Sequence, residues 1–415
     1  MLAPYGRDPT GLPRRGLPLP RWQACATRPV LAGRRRASLR AVAALSRLER
    51  LWLINVAAFT VFAGVARYAG APALLAFAAA TAALAGQAWV VSLAVHQVGQ
   101  RFGPAATGVL QSTVGNLPEF FVVVFALNAG DVVVAQTAIL GSVFANALLV
   151  LGLVIVVGAR QASDGIMRFK PRLPQDTTTL LILTTFIIVL VSVPLESGEP
   201  AGRHVQSVSI VAAVALLAVY LAWVIPYVRN EERSRATQRT HPDTPTPDSA
   251  APSEPGTEGA EGPRLALSAA VVMLVAAGVA SAFVSDWFIH ALQPSLTQLH
   301  ASQAFAGIVI VAIAGNAVEN VAGIVLAGRG QSDLAISVVK NSVSQVAAFL
   351  FPLLVLVSLL LSSSLTFALA PTYIGALLLT VLAVWQVTND GEAAAFEGYS
   401  LIALYVVLAA VTLYQ

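Results

Sequence analysis

The chain has 415 residues, of which 57% are hydrophobic and 11% charged, and its mean hydropathy of +0.75 excludes an ordinary soluble domain. A net charge of +4 and a pI near 9.5 do not point to nucleic acid, because the basic residues gather between apolar runs rather than on one polar face. Its single cysteine, Cys25, excludes an intramolecular disulfide framework and a thiolate metal cluster.

Residues 1–50 carry Arg14, Arg15, Arg34, Arg35 and Arg36 with several prolines and almost no acid, the composition of a disordered basic cytoplasmic tail. Apolar runs then begin near Leu51, Ala71, Pro104, Val132, Thr178 and Val205, and after a polar gap near Leu265, Ser302, Leu334, Leu365 and Phe396. Each is long enough to cross a hydrocarbon core of about 30 Å as a helix, and none alternates as a barrel strand does. The expected fold is therefore all-α and integral to the membrane, with about eleven spans. Residues 51–70 form the first of these, 71–228 and 265–415 hold the others, and 229–264 read as a flexible cytoplasmic linker. The linker acids Asp243, Asp248, Glu254, Glu258 and Glu261 lack the spacing of a calcium-binding EF-hand loop.

A cytoplasmic amino terminus predicts which loops should be basic. The loops so predicted hold Arg101, then Arg160, Arg168, Lys170 and Arg172, then Arg229, Arg233, Arg235, Arg239 and Arg264, then Arg329, whereas the opposite loops hold little beyond Arg203. The membrane expected is the bacterial inner membrane, and the last loop, 389–397, is acidic.

The chemistry lies in a repeat. Gly115-Asn116-Leu117-Pro118-Glu119 recurs as Gly315-Asn316-Ala317-Val318-Glu319, each copy inside an apolar span. Downstream, Asp131 leads to Ser142 and Asn146, and Asp333 leads to Ser342 and Gln345. The span with Glu119 and the span with Glu319 run in opposite directions, so the chain reads as two inverted five-helix repeats behind one extra helix, a design that places a site near the midplane.

Glu119, Glu319, Asn116, Asn316, Ser142, Ser342, Asn146 and Gln345 all offer oxygen, the donor set of a hard cation, and calcium accepts six to eight such ligands in flexible geometry. Asn and Glu three apart share a helix face in each copy. Gly115 and Gly315 permit close approach or local unwinding, and Pro118 removes an amide donor. A buried carboxylate needs a partner for its charge, so protons and a metal cation compete for the same oxygens, the minimal mechanism of antiport. Asp131 and Asp333 fall near span ends and read as caps or surface charges. Lys340, beside Ser342, reads as packing or snorkelling to the interface, with an internal cation as the other reading. No HExxH, Gly-x-Ser-x-Gly or phosphate-cradling loop occurs, which speaks against an enzyme, and inverted repeats speak against a channel.

These motifs resemble the cation/calcium exchanger superfamily, and within it the calcium/proton exchangers, over roughly residues 85–360. The resemblance implies that Glu119 and Glu319 are the acidic calcium ligands, Asn116 and Asn316 the flanking amides, and Ser342 and Gln345 polar partners in the following helix. It implies a transporter with no cofactor, whose partners are the lipid bilayer and inorganic cations, with calcium exported against protons. Three departures stand out. Proton exchangers of the family follow the second glutamate with histidine, where this chain has Asn320. An acidic cluster before the first repeat is replaced by a stretch containing His96, a candidate proton-handling residue. Pro118 resembles the sodium/calcium branch, which keeps sodium as an alternative counter-ion.

Overall fold

A computed structural model describes residues 45–102, 110–111, 113–170, 172–240 and 264–415, with the backbone alone for 172–174 and 227–240. Cys25, most of 1–50, residues 103–109 and the linker acids lie outside the described residues. The helices are α1 Arg47–Tyr68, α2 Ala73–Gly99, α3 Leu117–Ala129, α4 Val132–Gln161, α5 Arg172–Glu196 and α6 Val205–Thr240. They continue as α7 Leu267–Leu299, α8 (Gln303–Gly315 and Ala317–Gly328), α9 Ser332–Ser358, α10 Pro371–Thr388 and α11 Ala395–Leu413. Among the described residues nine helices are long and apolar enough to cross a membrane, and α8 makes a tenth span bent by 62°. The shorter apolar α3 stands at the place of the expected third span.

Three boundaries differ from the sequence expectation. A capping box, in which Ser46 and Glu49 bond each other's backbone amides, starts α1 inside the expected tail. Helix α6 runs on to Thr240, well into the expected linker, because 229–240 holds four Arg and two Glu and contains no Pro or Gly. Helix α10 begins at Pro371, a residue suited to a first helical turn, rather than near Leu365. One exception to the all-α expectation is a small antiparallel pair, β1 Ile166–Arg168 with β2 Glu392–Ala394. It joins the basic α4–α5 loop to the acidic α10–α11 loop, and Arg168 pairs with Glu392 at 3.1 Å and Asp164 at 2.7 Å.

The two-fold relation between halves is visible in the packing. α2 packs on α7 and α5 on α10, while α4 against α11 is matched by α9 against α6, and α3 against α4 by α8 against α9. It extends to single hydrogen bonds. Gly130 and Gly330 both take positive φ, and the next amides, of Asp131 and Gln331, return to Ala126 O and Leu326 O at 2.8 and 3.0 Å. Helices α4 and α9 each contain a π-helical turn, Ala145–Val150 and Val346–Leu350, one turn beyond Ser142 and Ser342. Such turns are rare and widen a helix locally, changing the direction in which nearby side chains project.

Helix α4 meets the first half of α8 almost backbone to backbone. A Cβ on Gly141 would stand 2.5 Å from Ile308 Cα and 2.7 Å from Gly307 O, so nothing larger than glycine fits at 141 without moving a helix. This contact brings Ser142 up to the residues that follow Gly307.

Candidate cation site

Asn116 and Asn316 sit at matching helix breaks, with φ/ψ of −89°/20° and −96°/14°. That conformation turns the chain off the helical path. In each copy the following glutamate lies in the first turn of the new helix, where unpaired amides and the positive dipole end favour negative charge. Pro118 occupies the same first turn of α3, and its carbonyl accepts from Ser285 Oγ at 3.4 Å.

The two motifs meet through one hydrogen-bonded chain. Glu119 Oε1 accepts from Ser142 Oγ at 2.5 Å and from Asn316 Nδ2 of the other repeat. Asn316 Nδ2 also donates to Ser142 Oγ at 3.0 Å. Asn146 Nδ2, within the π turn of α4, donates to Asn316 Oδ1 and to Ser342 Oγ, both at 3.2 Å, and to Ser142 O at 3.0 Å. Ser342 Oγ in turn donates to Glu319 Oε2. The path from one carboxylate to the other therefore passes through Asn316, Asn146 and Ser342, with Asn146 at its centre. Two amide protons serve three acceptors there, so the bonds can be redistributed at little cost.

Three buried atoms in this cluster have no hydrogen-bond partner: Glu119 Oε2, Asn146 Oδ1 and Asn116 Nδ2. Two are oxygens with lone pairs, and an amide flip would make the third an oxygen as well. Leaving such an atom unmet costs about 1–3 kcal/mol, which a positive partner would remove. Among the described residues no group of three or more His, Cys, Asp or Glu is arranged to hold a metal. Two carboxylates with neutral amides and hydroxyls are a low-charge oxygen set, and calcium affinity weakens as the negative charge of its ligands decreases. Glu119 is 4% exposed, whereas Glu319 is half-buried.

The other sequence candidates are placed as follows. Gln345 is buried one turn beyond Ser342 on α9, at the start of its π turn. Gly315 packs on Glu119, and Gly115 is bonded through its amide to Gln111 O at 2.8 Å. Asn320, at the family's histidine position, has a buried Oδ1 with no partner. Asp131 accepts from Gln293 Nε2 at 2.9 Å, and Asp333 accepts from the Lys170 amide at 2.7 Å, so both brace loops away from the carboxylate chain. His96 lies in the last turn of α2, half-buried and bonded to Gln100 at 2.9 Å, outside that chain.

Of the readings for Lys340, snorkelling is the one the structure overturns. The side chain is 3% exposed, and its Nζ donates to Thr178 Oγ1 at 2.5 Å and Thr388 Oγ1 at 3.0 Å. Those hydroxyls, on α5 and α10, are too dispersed in sequence to have been read as its partners.

A family model described as sodium/calcium exchanger protein matches residues 72–226 and 269–414, most of both halves. The chain belongs to that family. The exchanger is similar to the Ca(2+)/H(+) antiporter ChaA of Bacillus subtilis, with 28% identity over 363 residues, 87% of this chain and 98% of the relative. It is also similar to the vacuolar calcium ion transporter of Schizosaccharomyces pombe, with 30% identity over 328 residues covering 77% of this chain and 74% of that one. Among solved structures, native YfkE superposes with a TM-score of 0.71 at 24% identity, covering 88% of this chain and all of that one. The H+/Ca2+ exchanger CAX gives 0.63 at 14% identity, covering 89% and 93%. These two likenesses concern the fold, which is that of an integral membrane transporter.

Proposed function

We propose that the exchanger moves calcium against protons by alternating access, with Glu119 and Glu319 as the pair that carries either ion. The observation behind this reading is the single hydrogen-bonded chain joining the two carboxylates across the repeats. Support also comes from relatives, of which those in Bacillus subtilis and Synechocystis are named calcium/proton antiporters.

Calcium takes the ionised pair together with Asn116, Asn316, Asn146, the serine hydroxyls and Gln345, since six to eight oxygens satisfy it. Ser142 and Ser342 rotate their hydroxyl hydrogens away and present lone pairs, which costs little at a hydroxyl. When calcium leaves, the carboxylates face a low-dielectric interior as an uncompensated like-charged pair, and protons neutralise them. Only neutralised forms cross between the two orientations, which couples the fluxes. The unequal exposure of the glutamates supports entry from the Glu319 side in this conformation. The helix breaks at Asn116 and Asn316 and the π turns supply places where the two halves can pivot.

The face carrying the basic loops is cytoplasmic and the membrane is the bacterial inner membrane, a reading supported by the loop charges. The test is calcium uptake into everted vesicles under an imposed proton gradient, comparing wild type with Glu119→Gln and Glu319→Gln. Each substitution keeps an oxygen but removes the charge, so each abolishes exchange. Intact exchange in either variant would overturn the assignment of that residue.

A further inference from the structure

A second polar cluster lies on the face of α9 turned away from the carboxylates. Residues 340 and 342 point about 200° apart on a helix, so α9 offers Ser342 to Glu319 on one side and Lys340 to α5 and α10 on the other. The Lys340 ammonium is buried and donates to the hydroxyls of Thr178 and Thr388, themselves 3% and 2% exposed. Thr388 Oγ1 spends its own hydrogen on Val384 O at 2.7 Å, which leaves lone pairs for the ammonium. Ser344 Oγ ties the same region together, donating to Thr177 O at 3.3 Å and Lys340 O at 3.2 Å. The corresponding position of the first repeat is Leu140, buried and apolar, so this charge breaks the internal symmetry.

The neutral Ser344 already joins α9 to α5, so that contact needs no charge. A charge buried in a span is costly and persists where its sign is used. Hydroxyl oxygens converging on a compact +1 group are donors of the kind that a small monovalent metal ion also takes. Held by its own side chain on the opposite face of α9, the ammonium takes none of the carboxylate oxygens.

We propose that Lys340 is a tethered monovalent cation: its ammonium fills an oxygen-lined position between α5, α9 and α10 of the kind a sodium ion would take. The exchanger therefore needs no free monovalent cation there. This rests on the calcium/proton reading, and the experiment separates the two.

Lys340→Ala, Lys340→Met and wild type are reconstituted in vesicles, and proton-driven calcium exchange is measured in choline buffer with and without sodium or methylammonium. Wild type is expected to be indifferent to either addition, and the Ala variant to fall about tenfold in choline and recover severalfold with sodium or methylammonium. The Met variant, which fills the space without charge, is expected to fall equally and not recover. The melting temperature of the detergent-solubilised Ala variant should rise with sodium, while that of wild type and the Met variant should not. Should the Ala variant fail to accumulate, Lys340→Ser carries the same comparison. Wild-type rates in the Met variant, or a folded Ala or Ser variant that neither cation rescues, would overturn the proposal. Loss of proton-driven exchange in wild type itself would refute the calcium/proton reading instead.

Discussion

Replacing Gly315 by alanine tests the geometry of the carboxylate chain most directly. The added Cβ would lie 2.7 Å from Glu119 Cγ, 3.0 Å from its Oε1 and 3.2 Å from its Cδ. A flexible glutamate could step aside cheaply if it were unattached, but Glu119 Oε1 is held by Ser142 and Asn316. The strain therefore falls on the position of the carboxylate. Overpacking of a close-fitted interior costs about 1–3 kcal/mol, and each 1.4 kcal/mol is tenfold in affinity, so the calcium concentration for half-maximal exchange should rise about 5- to 150-fold. The rate at saturating calcium should change far less, because both carboxylates remain. Gly375→Ala is the control: nothing lies within 4 Å of its added Cβ, so exchange should match wild type. Both constants come from the initial rate of proton-driven calcium uptake in vesicles as calcium is varied. An unchanged half-saturation in Gly315→Ala, with Glu119→Gln inactive, would show that the placement of Glu119 by its neighbours is not used.

Ser142→Ala removes the hydroxyl oxygen that turns from Glu119 to calcium, and bonds to charged groups are worth about 1.5–3 kcal/mol, so calcium affinity in the same assay should fall about 10- to 150-fold. Gly141→Val places side-chain atoms against the backbone of Gly307 and Ile308, and size-exclusion chromatography should show lost accumulation of monodisperse protein. At the β1–β2 pair, the exposed Arg168 beside Asp164 holds that carboxyl below its ordinary value of 3.8. A depressed carboxylate contributes stability that is complete above the ordinary value and lost as pH falls through the lowered one. Protection of the amides at Ile166–Arg168 should therefore drop below about pH 4 in hydrogen exchange, and Asp164→Asn should remove the pH dependence. The effect is small and salt-sensitive, as expected for exposed charges.

The spans and the two glutamate motifs were legible because lipid imposes a simple rule, runs of about twenty apolar residues, against which an acid in mid-run stands out. Ser142 and Ser342 were legible only through their repetition. Other features were local yet hidden. The extension of α6 to Thr240 follows from helix propensity, which was outweighed in reading by the polar composition of the segment. His96 looked chemical in sequence because histidine titrates near neutrality, but its place in the last turn of α2 puts it outside the carboxylate chain.

The sequence by itself determined a membrane-embedded helical chain, its doubling, and a pair of acids with oxygen-bearing neighbours. Hydropathy and repeat spacing are properties of the chain as written, so no contact was needed to read them. Only the tertiary structure decided that Asn146 bridges the two motifs, that Glu119 is sealed while Glu319 is half-open, and that Lys340 turns inward to two threonine hydroxyls. Each depends on helices distant in sequence meeting at close range, and on breaks and π turns that rotate side chains off the regular helical period. Which face a single polar residue presents is then set by what packs against it.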